Sequence, residues 1–261
     1  MGIILLGLTS SPGIAQIVDG RQIVNVDLIG GRSQSNEPLI VGVRFRIEPG
    51  WYLYWKNPGD AGLPIQIKWN VPHGWTAGPT KIPVPSKFIH GDIISYGYKD
   101  SVVLFSDMIP AESDSGEIRA SIDWLVCKES CVRGSATAFF DVRHTATPEE
   151  LQLLKNSKLR LPEGIHNLNL IAGSAELKKL DHRWICNLSI QGDDAGNITD
   201  FFPEENGEIS IDYSSIRVSE GRLVFTLTRA NDELMKTVLN GLLVTRSKGY
   251  QFSFPINFSS F

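Results

Sequence analysis

Residues 118–131, IRASIDWLVCKESC, determine the fold class of the chain and contain its most informative site. Apolar side chains occupy every second position of this stretch: Ile118, Ala120, Ile122, Trp124 and Val126. Because successive side chains of a β-strand point to opposite faces of the sheet, this alternation predicts a strand with one buried and one wet face. Cys127 and Cys131 follow at its end, separated by three residues.

The same alternation recurs along the chain. It appears in residues 24–28, 41–47 and 184–190. Turn-forming prolines and glycines separate the segments, as in residues 57–60 (NPGD) and 83–85 (PVP). Short strands separated by such turns are typical of antiparallel sandwiches. We therefore predict an all-β protein built of two β-sandwich domains in tandem.

One segment interrupts the strands and predicts the domain boundary. Thr147 is able to cap a helix, Pro148 fits the first helical position and Glu150 completes a capping box, so a short helix is predicted to about Asn156. The predicted domains are a first sandwich over residues 16–144, a linker with the helix over 145–162, and a second sandwich over 163–261.

Two further predictions concern the second sandwich. Asn231 at the start and Gly241 at the end predict a helix over residues 232–240. Cys186 alternates with Asn187 in a strand pattern, so we predict a small buried core residue. A free thiol that pairs between molecules is the alternative.

Length and composition exclude several classes of protein. The chain has 261 residues, of which 42% are hydrophobic and 21% charged, and its net charge is −4. These values exclude a disordered chain, a collagen and a coiled coil. Without a basic excess the sequence predicts no nucleic-acid partner, and without a run of about 18 apolar residues it predicts no direct membrane insertion. Three cysteines are too few for a disulfide-stapled scaffold.

The first fifteen residues differ from the rest. Residues 3–8 (IILLGL) are apolar, and small residues follow up to Ala15. This pattern predicts a secretory signal peptide cleaved after Ala15, without the basic residues that ordinarily precede the apolar run. Export would place the protein in an oxidising compartment. A buried first strand is the alternative.

The spacing of Cys127 and Cys131 constrains their geometry. Positions four apart on an extended strand lie about 13 Å from each other, whereas a disulfide needs Cα atoms within about 4.4–6.8 Å. The pair is able to bond only if residues 128–130 (KES) turn the chain back, and charged and small residues suit a surface turn. If the alternation continues to the end of the strand, Cys127 lies on the solvent-exposed face with Arg119 and Asp123, so we predict that it is exposed.

Three interpretations of the cysteine pair are open on spacing alone. A structural bridge over so short a loop gains little, since chain-entropy stabilisation grows with loop length. A redox-active pair needs an accessible thiol and a nearby resolving thiol; Lys128 and Arg133 favour the thiolate, and Glu129 opposes it. Two thiolates also suit Cu(I), which would make the protein a non-enzymatic copper-binding module. Zinc lacks further ligands at a suitable spacing, and beyond the copper alternative we predict no metal site and no cofactor.

Residues 51–62, WYLYWKNPGDAG, form a second informative stretch, which is rich in aromatic side chains. One interpretation is that these aromatics belong to the core and corners of a sandwich. The other is an exposed row of rings that stacks on sugars, which would make the protein a carbohydrate-binding module.

Several of these segments together resemble one known family. They are residues 54–64 (YWKNPGDAGLP), Trp69, 78–79 (GP), Pro83, Pro85, 96–98 (YGY) and 123–131 (DWLVCKESC). The pattern is similar to the exported N-terminal region of the DsbD/ScsB family of thiol:disulfide interchange proteins, and within it to the copper-sensitivity suppressor branch, ScsB. It covers about residues 40–140, and the remainder is similar to the second sandwich that follows in that branch.

The resemblance implies two immunoglobulin-like sandwiches and a periplasmic protein-disulfide oxidoreductase domain. It implies partners of two kinds: thioredoxin-fold periplasmic proteins that receive reducing equivalents, and a membrane-embedded electron donor of the DsbD/ScsB type. By position, Cys127 and Cys131 match the family's catalytic pair, with Cys131 the nucleophile and Cys127 the resolving thiol. The family shields its pair with a cap loop bearing an aromatic residue, for which the candidates are Phe88, Tyr96 and Tyr98.

Overall fold

The computed structural model of the chain describes residues 16–18, 21–32, 38–110, 115–167 and 171–258. Strands dominate these ranges and a single α-helix lies among them, which confirms the all-β prediction. No helix in the described ranges is long and apolar enough to cross a bilayer. The predicted signal peptide, residues 1–15, lies outside the described residues.

Eleven strands precede the helix in the described ranges. They are β1 (Gln16–Val18), β2 (Arg21–Gly31), β3 (Leu39–Ile47), β4 (Tyr52–Gly59), β5 (Gln66–Asn70), β6 (Thr76–Ala77), β7 (Ser86–His90), β8 (Ile93–Tyr98), β9 (Ser101–Ile109), β10 (Glu117–Cys127) and β11 (Cys131–Asp141). One sheet has the order β1-β2-β3-β9-β6, with antiparallel neighbours. In a second sheet β10 pairs with β11, with β5 and with the start of β4, while β7 and β8 form a hairpin next to β4.

The helix α1 (Pro148–Leu159) is followed by strands that form two further sheets. These strands are β12 (Glu163–Gly164), β13 (Ile171–Leu180), β14 (Arg183–Gln191), β15 (Asp200–Pro203), β16 (Ile209–Ser219), β17 (Arg222–Arg229), β18 (Lys236–Val244) and β19 (Gly249–Asn257). The sheet orders are β12-β19-β18-β15 and β13-β14-β17-β16. Short 3₁₀ turns lie at Ile165–Asn167 and Ala195–Asn197.

By compactness the described residues divide into two units. The first unit contains the residues up to Tyr54, from Pro64 to Pro83 and from Tyr98 to Leu159. The second contains Trp55–Leu63, Val84–Gly97 and the residues from Arg160 onward. The end of β4 and the β7–β8 hairpin thus belong to the second unit. The predicted domains, 16–144 and 163–261, stay a prediction.

The core of each unit follows from the alternating sequence. In the first unit the even positions of β10 from Ile118 to Val126 are buried, and Arg119 and Asp123 between them are exposed. Phe45 on β3 meets Trp124 edge to face, with ring centroids 6.0 Å apart, so the apolar faces of two sheets pack together. Burial of such side chains contributes about 1.5–3 kcal/mol each.

The second unit has its own apolar core. Phe201 on β15 lies 6.2 Å from Phe225 on β17, measured between ring centroids, and 5.9 Å from Phe252 on β19. Cys186 on β14 is fully buried in this cluster. The prediction that it is a small core residue is therefore confirmed.

The predicted capping box at the start of α1 is confirmed. The Glu150 amide donates to the Thr147 hydroxyl at 3.2 Å, and the Thr147 amide donates to the Glu150 carboxylate at 2.7 Å. The helix runs to Leu159, three residues beyond the predicted end. It is held to the first unit by buried Leu154 and by the Ser157 hydroxyl, which donates to the Val103 carbonyl at 2.6 Å.

The second predicted helix, residues 232–240, is wrong. Asn231 accepts a hydrogen bond from the Glu233 amide in a local turn, and the strand β18 begins at Lys236 and pairs along its length with β19. Gly241 lies within β18, where a side-chain Cβ would meet the Phe202 carbonyl oxygen at 2.5 Å. The glycine thus permits the close approach of a neighbouring strand and does not end a helix, because long-range pairing outweighs the local signals.

Candidate redox site

Cys127 and Cys131 form the closed end of the β10–β11 hairpin. They are directly opposite each other in the strand register, with Cα atoms 4.2 Å apart and sulfurs bonded to each other. The three residues between them turn the chain, and the Lys128 amide donates to the Ser130 carbonyl at 3.3 Å. The expectation that residues 128–130 reverse the chain is confirmed, and the sequence spacing brings the two thiols together.

The two cysteine residues differ in their exposure to solvent. Cys131 is exposed, but Cys127 is only 3% exposed, so the prediction of an exposed Cys127 is wrong. Cys127 lies on the face of β10 opposite to that of Trp124 and Val126, as the alternation predicts. However, β4 pairs with the end of β10 and places Tyr52 opposite Cys127. Opposite residues share a face of the sheet, and so do residues two apart on a strand. Tyr52 and Tyr54 therefore lie on the same face as the disulfide, and Tyr52 is the neighbour of the buried Cys127 across the ladder.

The hydroxyl groups of these two tyrosines extend to the disulfide. The Tyr54 hydroxyl oxygen lies 3.6 Å from the Cys131 sulfur and 3.5 Å from the Tyr52 hydroxyl oxygen. The two rings meet edge to face, with centroids 5.2 Å apart. Burial raises the pKa of the Tyr54 hydroxyl. Tyr54 therefore keeps its proton over the range in which thiols ionise.

Charged residues precede and follow Cys131 in the hairpin. Lys128 and Glu129 are exposed in the turn, and Arg133 is exposed two positions after Cys131 on the same face of β11. The Lys128 side chain lies against Gly50, whose φ of +85° belongs to the turn before β4. Two cations and one carboxylate give this edge of the site a net positive charge, which favours a thiolate.

The aromatic stretch, residues 51–62, is not an exposed row of rings. Tyr52, Tyr54 and Trp55 are buried and Trp51 is half-buried, so the sugar-stacking alternative is contradicted and the core interpretation is confirmed. Sequence reasoning nevertheless missed Tyr54 as a residue of the site. The signal that could have found it is the Tyr-Leu-Tyr spacing, which places two hydroxyl-bearing rings on one face of a strand.

The motif at residues 57–60 has a structural role. Asn57 is 1% exposed; its side-chain amide donates to the Pro203 carbonyl at 2.7 Å, and its side-chain oxygen accepts from the Gly59 amide at 3.0 Å. The Tyr213 hydroxyl also donates to that oxygen, at 3.3 Å. Asp60 accepts from the Ile94 amide at 2.7 Å. This motif therefore holds the end of β4 against its neighbours within the second unit.

The three cap candidates are all buried side chains. Phe88 lies on β7, and Tyr96 and Tyr98 lie on β8. Tyr96 packs on Phe202, with ring centroids 4.8 Å apart, and the Tyr98 hydroxyl donates to the Pro83 carbonyl at 2.6 Å. The structure places the hydroxyl of Tyr54, which was not among the candidates, at the disulfide.

The third cysteine does not belong to the site. Cys186 lies in the second core, and burial raises the pKa of its thiol to about 12. Over the described part of the chain, no three His, Cys, Asp or Glu side chains come together as a metal site requires.

Comparison with known proteins agrees with the geometry. Residues 15–142 match the family model described as the N-terminal part of the thiol:disulfide interchange protein DsbD. The crystal structure of the N-terminal periplasmic domain of ScsB from Proteus mirabilis is similar over 95% of this chain and 99% of that one, with a TM-score of 0.69 and 14% sequence identity. At that identity the likeness concerns the fold. No curated protein matches the chain in sequence.

Proposed function

We propose that the chain exchanges disulfides with exported partner proteins through Cys127 and Cys131, and the match of residues 15–142 to the DsbD N-terminal family model supports this proposal. One observation carries this proposal: Cys131, an exposed residue, is bonded to the buried Cys127 at the tip of a tight hairpin. Disulfide exchange requires that one sulfur be reachable and that a second lie close enough to resolve the mixed disulfide.

A purely structural bridge is the weaker explanation of this geometry. The β10–β11 ladder already pairs every residue from Glu117 opposite Asp141 to Cys127 opposite Cys131. A bond between cysteines four positions apart also removes few conformations from the unfolded chain. Placement of Cys131 in the solvent also exposes the bond to reductants, which a structural staple does not need.

The proposed reaction starts from the reduced pair. The Cys131 thiolate attacks one sulfur of a partner disulfide; a Cys131–partner bond forms, and the other partner sulfur leaves as a thiolate. The Cys127 thiol then loses its proton to water and attacks the Cys131 sulfur, which re-forms the Cys127–Cys131 disulfide and releases the second partner thiolate. Two electrons pass from this protein to the partner, and the reverse sequence re-reduces the protein.

The partners are proposed from the family. Thioredoxin-fold proteins of the periplasm would accept the electrons, and a membrane-embedded donor of the DsbD/ScsB type would supply them. We propose a periplasmic location on the same basis, and an immunoglobulin-like β-sandwich for each half of the chain.

A trapping experiment tests the proposed roles of the two cysteines. The full-length Cys127→Ala and Cys131→Ala variants are reduced and mixed with an exported thioredoxin-fold protein that carries one active-site cysteine, activated as a mixed disulfide with a coloured aromatic thiol. Cys127→Ala is expected to release the coloured thiolate stoichiometrically and to accumulate a mixed disulfide through Cys131, because the resolving thiol is absent. Cys131→Ala is expected to form little mixed disulfide, since Cys127 is buried.

The matched control is Cys186→Ala, which removes a buried thiol outside the pair and is expected to behave like the unaltered protein. Exchange by Cys131→Ala at the rate of Cys127→Ala would reverse the assigned roles. If neither variant reacts and the native disulfide resists mild reductant, the pair is a structural bridge.

A further inference from the structure

The donor of the hydrogen bond between Tyr54 and the disulfide follows from the chemistry of the two groups. The Cys131 sulfur carries no proton in the disulfide, so the Tyr54 hydroxyl is the donor in their 3.6 Å contact. A hydroxyl has one proton, and Tyr54 therefore accepts from Tyr52 across the 3.5 Å between their oxygens. The hydroxyl protons thus point from Tyr52 to Tyr54 and from Tyr54 to the sulfur of Cys131.

Resting on the exchange function proposed above, we propose that Tyr54 stabilises the thiolate of Cys131 by this hydrogen bond and so makes Cys131, and not Cys127, the ionised thiol of the reduced pair. Tyr54 touches a reacting atom, whereas Tyr52 acts through Tyr54 as a positioning residue. The proposal assigns a chemical task to a side chain outside the cysteine pair.

The environments of the two sulfurs support the same assignment. A hydrogen bond to the charged form of a group favours ionisation, and bonds to charged acceptors are stronger than bonds to neutral ones. Tyr54 is 1% exposed and keeps its proton, so water does not compete for its hydroxyl. Cys127 is also buried, and burial disfavours its thiolate.

The remaining charged groups at the site do not reproduce this effect. Lys128 and Arg133 favour a thiolate and Glu129 opposes it, yet all three side chains are exposed. Water and salt screen exposed charges. Replacement of Tyr54 by phenylalanine removes the hydroxyl but leaves these three charges and the aromatic ring unchanged, so it isolates the proposed hydrogen bond.

The test measures the pKa of Cys131 in a Cys127→Ala background of the full chain. Cys131 is then the single reactive thiol, because Cys186 is buried and its pKa is about 12. The rate of alkylation by iodoacetamide is recorded against pH. Tyr54→Phe is expected to raise the apparent pKa of Cys131 by about one unit, since one lost hydrogen bond to a charged group is of that size. Below both pKa values the alkylation rate is expected to fall about threefold, because the tenfold loss of thiolate is partly offset by its higher nucleophilicity.

Two further variants keep the test specific. Tyr98→Phe removes another buried tyrosine hydroxyl, which donates to the Pro83 carbonyl, and is expected to leave the pKa of Cys131 unchanged. Tyr52→Phe removes the positioning hydroxyl and is expected to raise the pKa by less than Tyr54→Phe does.

An unchanged pKa in Tyr54→Phe, or an equal rise in Tyr98→Phe, overturns the proposal. If Tyr54→Phe does not fold, the test rests on Tyr52→Phe. An unchanged pKa of Cys131 in that variant then overturns the proposal. The alkylation profile needs no partner protein, so it separates this inference from the exchange function. A shifted pKa together with no trapping of any partner would refute the exchange function and leave the role of Tyr54 standing.

Discussion

Reduction of the Cys127–Cys131 disulfide is expected to leave the protein folded and to lower its free energy of unfolding only slightly. The cysteines are four positions apart, so the bond closes a loop of five residues. For a loop of that length the chain-entropy expression gives about 7 cal/mol/K, or about 2 kcal/mol at about 25 °C. This value is small because a loop of five residues restricts the unfolded chain little, and the β10–β11 ladder holds the folded hairpin in both redox states.

The assay is a urea titration of the full chain with and without reductant, followed by tryptophan fluorescence. With a denaturant slope of about 2 kcal/mol/M, the midpoint is expected to fall by about 1 M or less on reduction. A double variant, Cys127→Ala with Cys131→Ala, serves as the control. Its midpoint is expected to match that of the reduced protein and to be indifferent to reductant.

A much larger effect would refute the reasoning. If reduction unfolds the protein, or lowers its free energy of unfolding by more than about 4 kcal/mol, the bond stabilises the fold in the manner of a bridge over a long loop. The pair would then be a structural staple, and cycling between its two redox states would be incompatible with function.

The remaining predictions concern stability. Asn57→Ala is expected to lower the free energy of unfolding by about 2–3 kcal/mol, measured by thermal or urea unfolding, since it leaves the buried Pro203 carbonyl and the Gly59 amide without their partner. The control is Asn25→Ala. The side-chain oxygen of Asn25 accepts from Arg46 at the surface, so this variant is expected to lower the free energy of unfolding by less than about 0.5 kcal/mol. Thr147→Ala removes one half of the capping box and is expected to cost about 1 kcal/mol, with equal stability of the variant contradicting a role for the cap. Burial raises the pKa of Glu150, but the hydrogen bonds from Thr147 and His144 outweigh it, so the net pKa is lowered. The stability that this carboxylate contributes is therefore present above the ordinary carboxyl pKa of about 4.3 and is lost as the pH falls through that range toward the lowered value. Glu150→Gln is expected to reduce this acid sensitivity, and an unchanged profile of stability against pH would contradict the assignment.

Several features of the fold depend on residues that are close in the sequence, and these features could be predicted. The alternation from Ile118 to Val126 requires only that one face of a strand be buried, and the buried even positions of β10 match it. The capping box between Thr147 and Glu150 involves residues three apart, so the start of α1 was correctly predicted. The alternating pattern around Cys186 likewise predicted its burial in the second core.

The errors have a common physical cause. Residues 232–240 carry local helix signals, but β19 supplies a full ladder of partners to β18, and the energy of that long-range pairing decides the conformation. Cys127 follows the alternation that predicts an exposed position, yet it is buried next to β4, with Tyr52 opposite it in the register. In both cases the conformation or burial depends on a strand that is distant in sequence, whereas a sequence pattern covers only neighbouring residues.

The sequence by itself determined the strand-rich fold class, the start of the helix and the closeness of Cys127 and Cys131, because each depends on residues at most a few positions apart. Only the tertiary structure decided which of the two sulfurs is accessible and which side chain touches it. Tyr54 is 77 positions from Cys131 in the chain, and the two meet because β4 pairs with the end of β10. Pairing between distant strands fixes register and side-chain neighbours, and a single sequence carries no local signal for it.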